Sequence, residues 1–300
     1  PVVRSDGEAS GLRGSNRDPR TLEEGLAMLE RVESDSSSRG RRLLDFSRQL
    51  ALIAGAALLY FGVRGQTEGS ESLAVAHGLD LIAFERIIGL DVEAGLQSLI
   101  LPHRWAVTVA NWVYIWGHWP VIGGTLVWLY RTRRFDYLLV RNALFFSGAI
   151  GLAIFVTYPV APPRLLPTGF VDTVTELSTS YRVLQPPSLV NKYAALPSLH
   201  VGWNLLIGMA VFRAGANRFA RVFGVLSPTA MVAAVVLTGN HYLVDAILGA
   251  VVALAGLALA FWLTPKLTVV RNTRNGGPVR RPTVDRPLKS MEPQYSACRR

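Results

Sequence analysis

Three short stretches of the sequence hold residues that can do chemistry together. In Asn240-His241-Tyr242-Leu243-Val244-Asp245 a carboxylate follows an imidazole by four residues. On a helix that spacing stacks the two on one face. A carboxylate so placed fixes the ring's tautomer, orients it and stabilises its cationic form, which makes His241 a candidate nucleophile. In Leu196-Pro197-Ser198-Leu199-His200 the proline suits the first turn of a helix, where free N–H groups favour an anion. His200 can donate a proton to a leaving oxygen there, and Ser198 can bind a phosphate oxygen. Arg164, in Pro162-Pro163-Arg164-Leu165-Leu166-Pro167, offers a fork of donors matched to phosphate oxygens. Together the residues fit a phosphate ester. For any one histidine the plainer reading is an interhelical hydrogen bond, and His200, His241 and Asp245 would also compose a facial metal triad. Arg164 would repel a cation, so the reading adopted is a site with neither metal nor cofactor.

These stretches are far apart in the chain and meet only if the elements carrying them reverse direction. Half of the 300 residues are hydrophobic and 17% are charged, where soluble domains carry about a quarter charged. The apolar residues gather in blocks of about 20, long enough to cross ~30 Å of hydrocarbon as helices. A water-soluble globular enzyme is excluded. So is a disulfide-stapled domain, because the one cysteine, Cys298, has no partner. Six spans are expected, at about 43–63, 105–130, 143–160, 198–212, 222–237 and 241–263. Between the first two, Leu79, Ile82, Ile87, Leu96 and Leu99 recur at roughly helical spacing, interrupted by Glu85, Asp91 and Glu93. Residues 71–103 are therefore too polar to span and read as interfacial helices. The expected fold is all-α and integral to the membrane, with six transmembrane helices plus interfacial helices on the extracytoplasmic side.

The formal net charge of +10 could point to nucleic acid, but the basic residues fall between and after the apolar blocks. Arg131, Arg133, Arg134 and Arg141 follow the second span, and Arg213, Arg218 and Arg221 the fourth. Lys266, Arg271 and Arg274 follow the sixth, and Arg39, Arg41 and Arg42 precede the first. By the positive-inside rule both termini are cytoplasmic, and the 64–104, 161–197 and 238–241 connections face the other side. Arg164, His200, His241 and Asp245 then share one extracytoplasmic face of a multi-pass protein of the cell (plasma) membrane. Residues 1–40 read as a mostly disordered cytoplasmic segment, with one short helix capped at Thr21 and Glu24. Residues 41–264 form the membrane catalytic domain, with 161–197 as its outer loop. Residues 265–300 read as a basic tail drawn to anionic lipid head groups. The abundance of Ala, Val, Gly and Arg suggests a bacterial source.

Other residues carry two readings each. His118, mid-span in Trp116-Gly117-His118-Trp119-Pro120, contacts substrate or serves a structural hydrogen bond. Asn240 and Tyr242 bind substrate, or cap and pack the helix. Asp172 and Glu176 contact a polyol head group or, as favoured, are solvated loop acids. Tyr114 and Trp112 read as packing or belt residues, and His77 and His103 as interfacial surface residues.

Over about residues 105–263 these motifs resemble the type 2 phosphatidic-acid phosphatase superfamily of membrane lipid phosphatases and phosphotransferases. Pro197-Ser198-Leu199-His200 is similar to the family's Pro-Ser-Gly-His, with leucine in the glycine position. His241 to Asp245 is similar to its His-x-x-x-Asp, with Gly249 beyond, and Arg164 to the arginine of its first motif. Two family cations are replaced: Thr157 stands where the first motif has lysine, and Ala234 and Val235 where the third has Ser-Arg. Lys192 or Arg182 is the candidate substitute. The leucine, the Pro-Pro-Arg and the His-Tyr pair are more similar to the inositol-phosphorylceramide-synthase-like branch, whose members also transfer a phosphorylated head group. The resemblance implies that His241 attacks phosphorus to form a phosphohistidine-type intermediate and that His200 protonates the leaving group. Asp245 then orients His241, and Arg164 and Ser198 stabilise the charged oxygens, without a metal. The expected function is phosphohydrolase or phosphotransferase action on a lipid-linked phosphate ester. The alternative is a non-catalytic membrane scaffold or lipid transporter that retains the fold.

Overall fold

The computed structural model describes residues 40, 43–63, 70–177 and 191–274, with side chains described to residue 264. The helix expected at Thr21–Glu24, the arginines at 39, 41 and 42, Arg182 and residues 275–300 lie outside the described residues. The chain divides into two compact units, residues 1–57 and 58–300. The described part of the first is the beginning of α1 (Leu43–Val63).

The second unit continues with α2 (Glu71–Ile88), α3 (Glu93–Ile100), α4 (Arg104–Trp116), α5 (Trp119–Thr132) and α6 (Arg134–Thr157). After a 3-10 turn at Pro163–Leu165 come α7 (Thr173–Leu177), α8 (Leu199–Ala214), α9 (Arg218–Leu237) and α10 (Leu243–Arg274). Among the described residues every regular element is a helix, and the one β-type contact is an isolated bridge between Val160 and Ala194. Among the described residues four helices are long and apolar enough to cross a membrane: α1, α6, α9 and the Leu243–Thr264 part of α10. α8, at 16 residues, is shorter. Large apolar side chains such as Phe219, Leu226, Val251 and Trp262 stay exposed on these helices, as suits segments whose solvent is lipid.

Two boundaries differ from the sequence reading in ways that matter to the site. The stretch at 105–130, expected as one span, is two helices broken at Gly117 and His118. Pro120, in the first turn of α5, has no N–H to give, and in a continuous helix its ring would meet the carbonyl of Trp116. The last helix begins at Leu243, so His241 stands just ahead of it and only Asp245 lies in its first turn. Gly239 makes the turn, with φ of 67°, a left-handed conformation that costs a residue with a Cβ.

α8 is the centre of the unit, packed against α6, α9 and α10, and its buried residues run around its whole circumference. Close approach of backbones makes this possible. A Cβ on Gly208 would run into Gly224 of α9, and one on Gly202 into the backbone of Gly249 in α10. Small residues at such crossings let helices meet along their main chains, which is how helices gain contact where lipid removes the hydrophobic drive. α10 also packs along α6, where Asn142 donates to Thr264 Oγ1 (2.9 Å).

α2 and α3, expected on the bilayer surface, turn part of their length inward. Ile82, Glu85, Glu93 and Gln97 are buried, while Ile87 and Leu99 are exposed. One apolar cluster joins Ala74 and Ile82 of α2 to Val160, Ala161, Leu166, Ala195 and Tyr242. A second joins Tyr114, Val201, Met231, Val235 and Ala246.

Candidate active site

The first turn of α10 and the start of α8 are tied main chain to main chain, the Ser198 N–H donating to the Asp245 carbonyl (3.0 Å). The His241 Nδ1 faces two acceptors, the Ala195 carbonyl at 2.8 Å and Asp245 Oδ2 at 3.3 Å. An atom facing only acceptors carries the proton, so Nε2 keeps the lone pair. The ring and the carboxyl are both buried. Asp245 Oδ2 also accepts the Tyr242 N–H (3.1 Å), which holds the carboxyl in place.

His200, in the first turn of α8, stacks on Tyr114 with ring centroids 4.5 Å apart. It lies 4.3 Å from the His118 ring and 5.8 Å from the His241 ring. His118 enters through the break between α4 and α5 and is buried. Asn204 Nδ2 lies 3.1 Å from His118 Nδ1 and donates to the His200 carbonyl (3.0 Å). The carbonyl can only accept, so the amide nitrogen faces His118 Nδ1 and the proton of that ring sits on Nε2. His118 thus has the structural hydrogen bond and stands beside the histidine pair as well.

Arg164 is held at three points. Its N–H donates to the Gly239 carbonyl (2.9 Å), its Nε donates to Asn240 Oδ1 (3.0 Å), and Asp172 Oδ2 lies 3.6 Å from the same nitrogen. Asn240 is itself fixed by donating to Thr238 Oγ1 (2.8 Å). Arg164 Nη1 and Ser198 Oγ are buried without a hydrogen-bond partner among the described residues. Buried donors left so are costly, and an anion's oxygens would satisfy both.

Not every expected residue arrives. Tyr242 is buried and donates its hydroxyl to the Ala161 carbonyl (2.7 Å), fastening the turn to the end of α6; burial also holds its phenol above the usual tyrosine range. Lys192 is exposed, in the turn before the Val160–Ala194 bridge. Asp172, expected in solvent, is ion-paired with Arg164 and caps Thr175 through Oδ1 (2.9 Å). His77, expected at the surface, is half-buried, stacks on Tyr158 and hydrogen-bonds the Pro159 carbonyl (2.8 Å). Asp245 already meets His241 and the Tyr242 N–H, and among the described residues no group of three or more His, Cys, Asp or Glu is set to hold a metal ion.

The residues that sequence reasoning missed come chiefly from α2 and α3. Glu93 Oε1 accepts the Leu243 N–H (2.7 Å) and Glu85 Oε1 the Val244 N–H (2.8 Å). Gln97 bonds Val171 through both ends of its amide and reaches the Leu237 carbonyl. The available signal was acids inside an apolar stretch, where charge is costly and seldom idle. Burial, offset in part by the Val244 N–H and reinforced by Glu93 and Asp245, pushes the Glu85 carboxyl up from 4.5 to about 8. Folding therefore favours the neutral acid. Its stabilising contribution is complete below about pH 4.5 and is lost as pH rises through about 8. The thermal midpoint of the detergent-solubilised protein should fall between pH 6 and 9, and Glu85→Gln should flatten that decline. An equally steep decline in the variant would remove Glu85 as its source.

A family model described as the PAP2 superfamily matches residues 79–259, more than half of the chain. No match was found among curated proteins or among solved structures. The matched stretch opens in α2, closes in α10 and includes Arg164, Ser198, His200, His241 and Asp245, and on that match the chain belongs to the PAP2 superfamily.

Proposed function

We propose that the protein is a membrane phosphohydrolase or phosphotransferase acting on a lipid-linked phosphate ester through a covalent phosphohistidine. Members of its superfamily are generally phosphatases acting on phosphate esters. The observation that carries the finer reading is the His241–Asp245–Ala195 arrangement, which leaves Nε2 as the basic nitrogen, with the His200 and His241 ring centroids 5.8 Å apart. In the first step His241 Nε2 bonds to phosphorus, the bond from phosphorus to the ester oxygen breaks, and His200 gives that oxygen its proton. In the second, His200 takes the proton of an incoming water or alcohol, whose oxygen displaces His241. Dividing the displacement in two lowers each barrier, and fixed positive charge around the phosphoryl oxygens supplies much of the rest. Arg164 and Ser198 are the groups proposed for those oxygens, with His118 and Asn240 beside the substrate.

Water and an alcohol can use the same acid–base pair, so hydrolysis and head-group transfer share this machinery. The arginine pattern supports six crossings, with α8 and the α4–α5 pair completing the four long helices. Both termini would then be cytoplasmic and the site would open to the outer leaflet of the cell membrane.

The test is product release from a panel of phosphatidic acid, phosphatidylinositol and polyprenyl phosphates in detergent, with EDTA present. Turnover that survives EDTA is expected. Free phosphate identifies a phosphatase and a new phosphodiester lipid a transferase. No product from any lipid, from folded protein, favours the scaffold or transporter.

A further inference from the structure

The three peptide N–H groups that follow His241 each end on a different carboxyl group. Tyr242 donates to Asp245, Leu243 to Glu93 and Val244 to Glu85. The last two acids come from α3 and α2, 150 and 159 residues away in the chain. Free N–H groups at the start of a helix are usually met by a nearby side chain or by water. Here they are met by remote acids that are themselves fully buried. Glu85 Oε2 finds no partner among the described residues, and that is where a proton would sit, since two buried carboxylates side by side repel.

We propose that Glu93 and Glu85 are positioning residues of the phosphoryl-transfer site, a carboxyl pair that clamps the first turn of α10 and so sets His241 and Asp245 against His200. This rests on the reaction proposed above. It gives α2 and α3 a part in the site, where the sequence suggested only interfacial helices. The physical reason is leverage. His241 lies outside the helix, so its ring is held only by Nδ1 and by the turn beneath it. A shift of about 1 Å in such a group can cost about 10²-fold in rate.

The experiment uses full-length protein in detergent with phosphatidic acid as substrate, comparing wild type with Glu93→Ala, Glu93→Gln and Glu85→Ala. Phosphate release gives kcat and KM, and ¹⁵N spectra of histidine-labelled protein report the His241 tautomer without turnover. Expected for the alanine variants is a loss of about 10²-fold in kcat with KM changed by less than about threefold. The His241 ring should also lose its single Nδ1–H form. Glu93→Gln keeps an oxygen on the Leu243 N–H and should restore most of the rate. Folded alanine variants with wild-type kcat and unchanged His241 signals would overturn the proposal. If wild type turns over no lipid, the ¹⁵N spectra still decide, since a tautomer change in Glu93→Ala upholds the clamp while the phosphatase reading falls. Should Glu93→Ala not fold, Glu93→Asp, one methylene short of Leu243, carries the same two readouts.

Discussion

His241→Ala should reduce lipid-phosphate turnover by at least about 10³-fold, and Asp245→Asn by only about 10²-fold. The difference comes from the geometry around Nδ1. Removing the imidazole removes the nucleophile, and the neighbouring histidines are committed elsewhere: the His118 Nδ1 lone pair is met by the Asn204 amide, and His200 must carry a proton in the first step. Replacing the carboxylate is milder, because the Ala195 carbonyl is the nearer of the two acceptors, at 2.8 Å against 3.3 Å. It continues to favour the Nδ1–H tautomer when Asp245 no longer can. What is lost is the charge that stabilises the ring once it bears the phosphoryl group. Single-turnover measurement of phosphate release, with acid-labile phosphate on protein as the intermediate's signature, checks the pair. An Asp245→Asn variant as inactive as His241→Ala would show that the Ala195 carbonyl contributes nothing.

Gly249→Ala should separate the two histidines and cost at least about 10²-fold in kcat, together with about 1–3 kcal/mol of stability. An added Cβ there would collide with the Ser198 carbonyl, and a Cβ on Gly202 with the carbonyl of Gly249. These obstacles are backbone, held by the hydrogen bond from Ser198 N–H to the Asp245 carbonyl, and no flexible side chain can swing aside. Relief requires α8 to move from α10, carrying His200 away from His241. Gly123→Ala is the control, since nothing lies within 4 Å of a Cβ at that position. Thermal midpoints and kcat in detergent test both variants. Full activity in Gly249→Ala would mean that the crossing is looser than described and does not set the distance between the rings.

The candidate residues were legible in the sequence because they are marked by residue type at short spacing. His241 with Asp245, Ser198 with His200, and Arg164 beside prolines each announce a local geometry, and the structure brings these stretches together. The apolar blocks announced helices for a similar reason: lipid leaves the backbone few other ways to satisfy its hydrogen bonds. Even there, local rules stopped short. Apolar content alone joined 105–130 into one helix, although Pro120 interrupts it and His118 comes to the site because of that break.

The sequence could not reveal the partners of these groups. Glu85 and Glu93 looked like interruptions in a surface helix, and Asp172 like a solvated loop acid. Each binds a group remote in the chain, and no spacing rule spans 150 residues. Tyr114 looked like packing, and it does pack, but the ring it packs against is His200. Residue types and short spacings thus determine which atoms are the candidates for acting on a phosphate ester. Which nitrogen of His241 is free, and how far it stands from His200, depends on helices crossing at Gly202 and Gly249 and on acids arriving from α2 and α3. Those contacts form only when segments far apart in the chain pack together, so no local pattern encodes them.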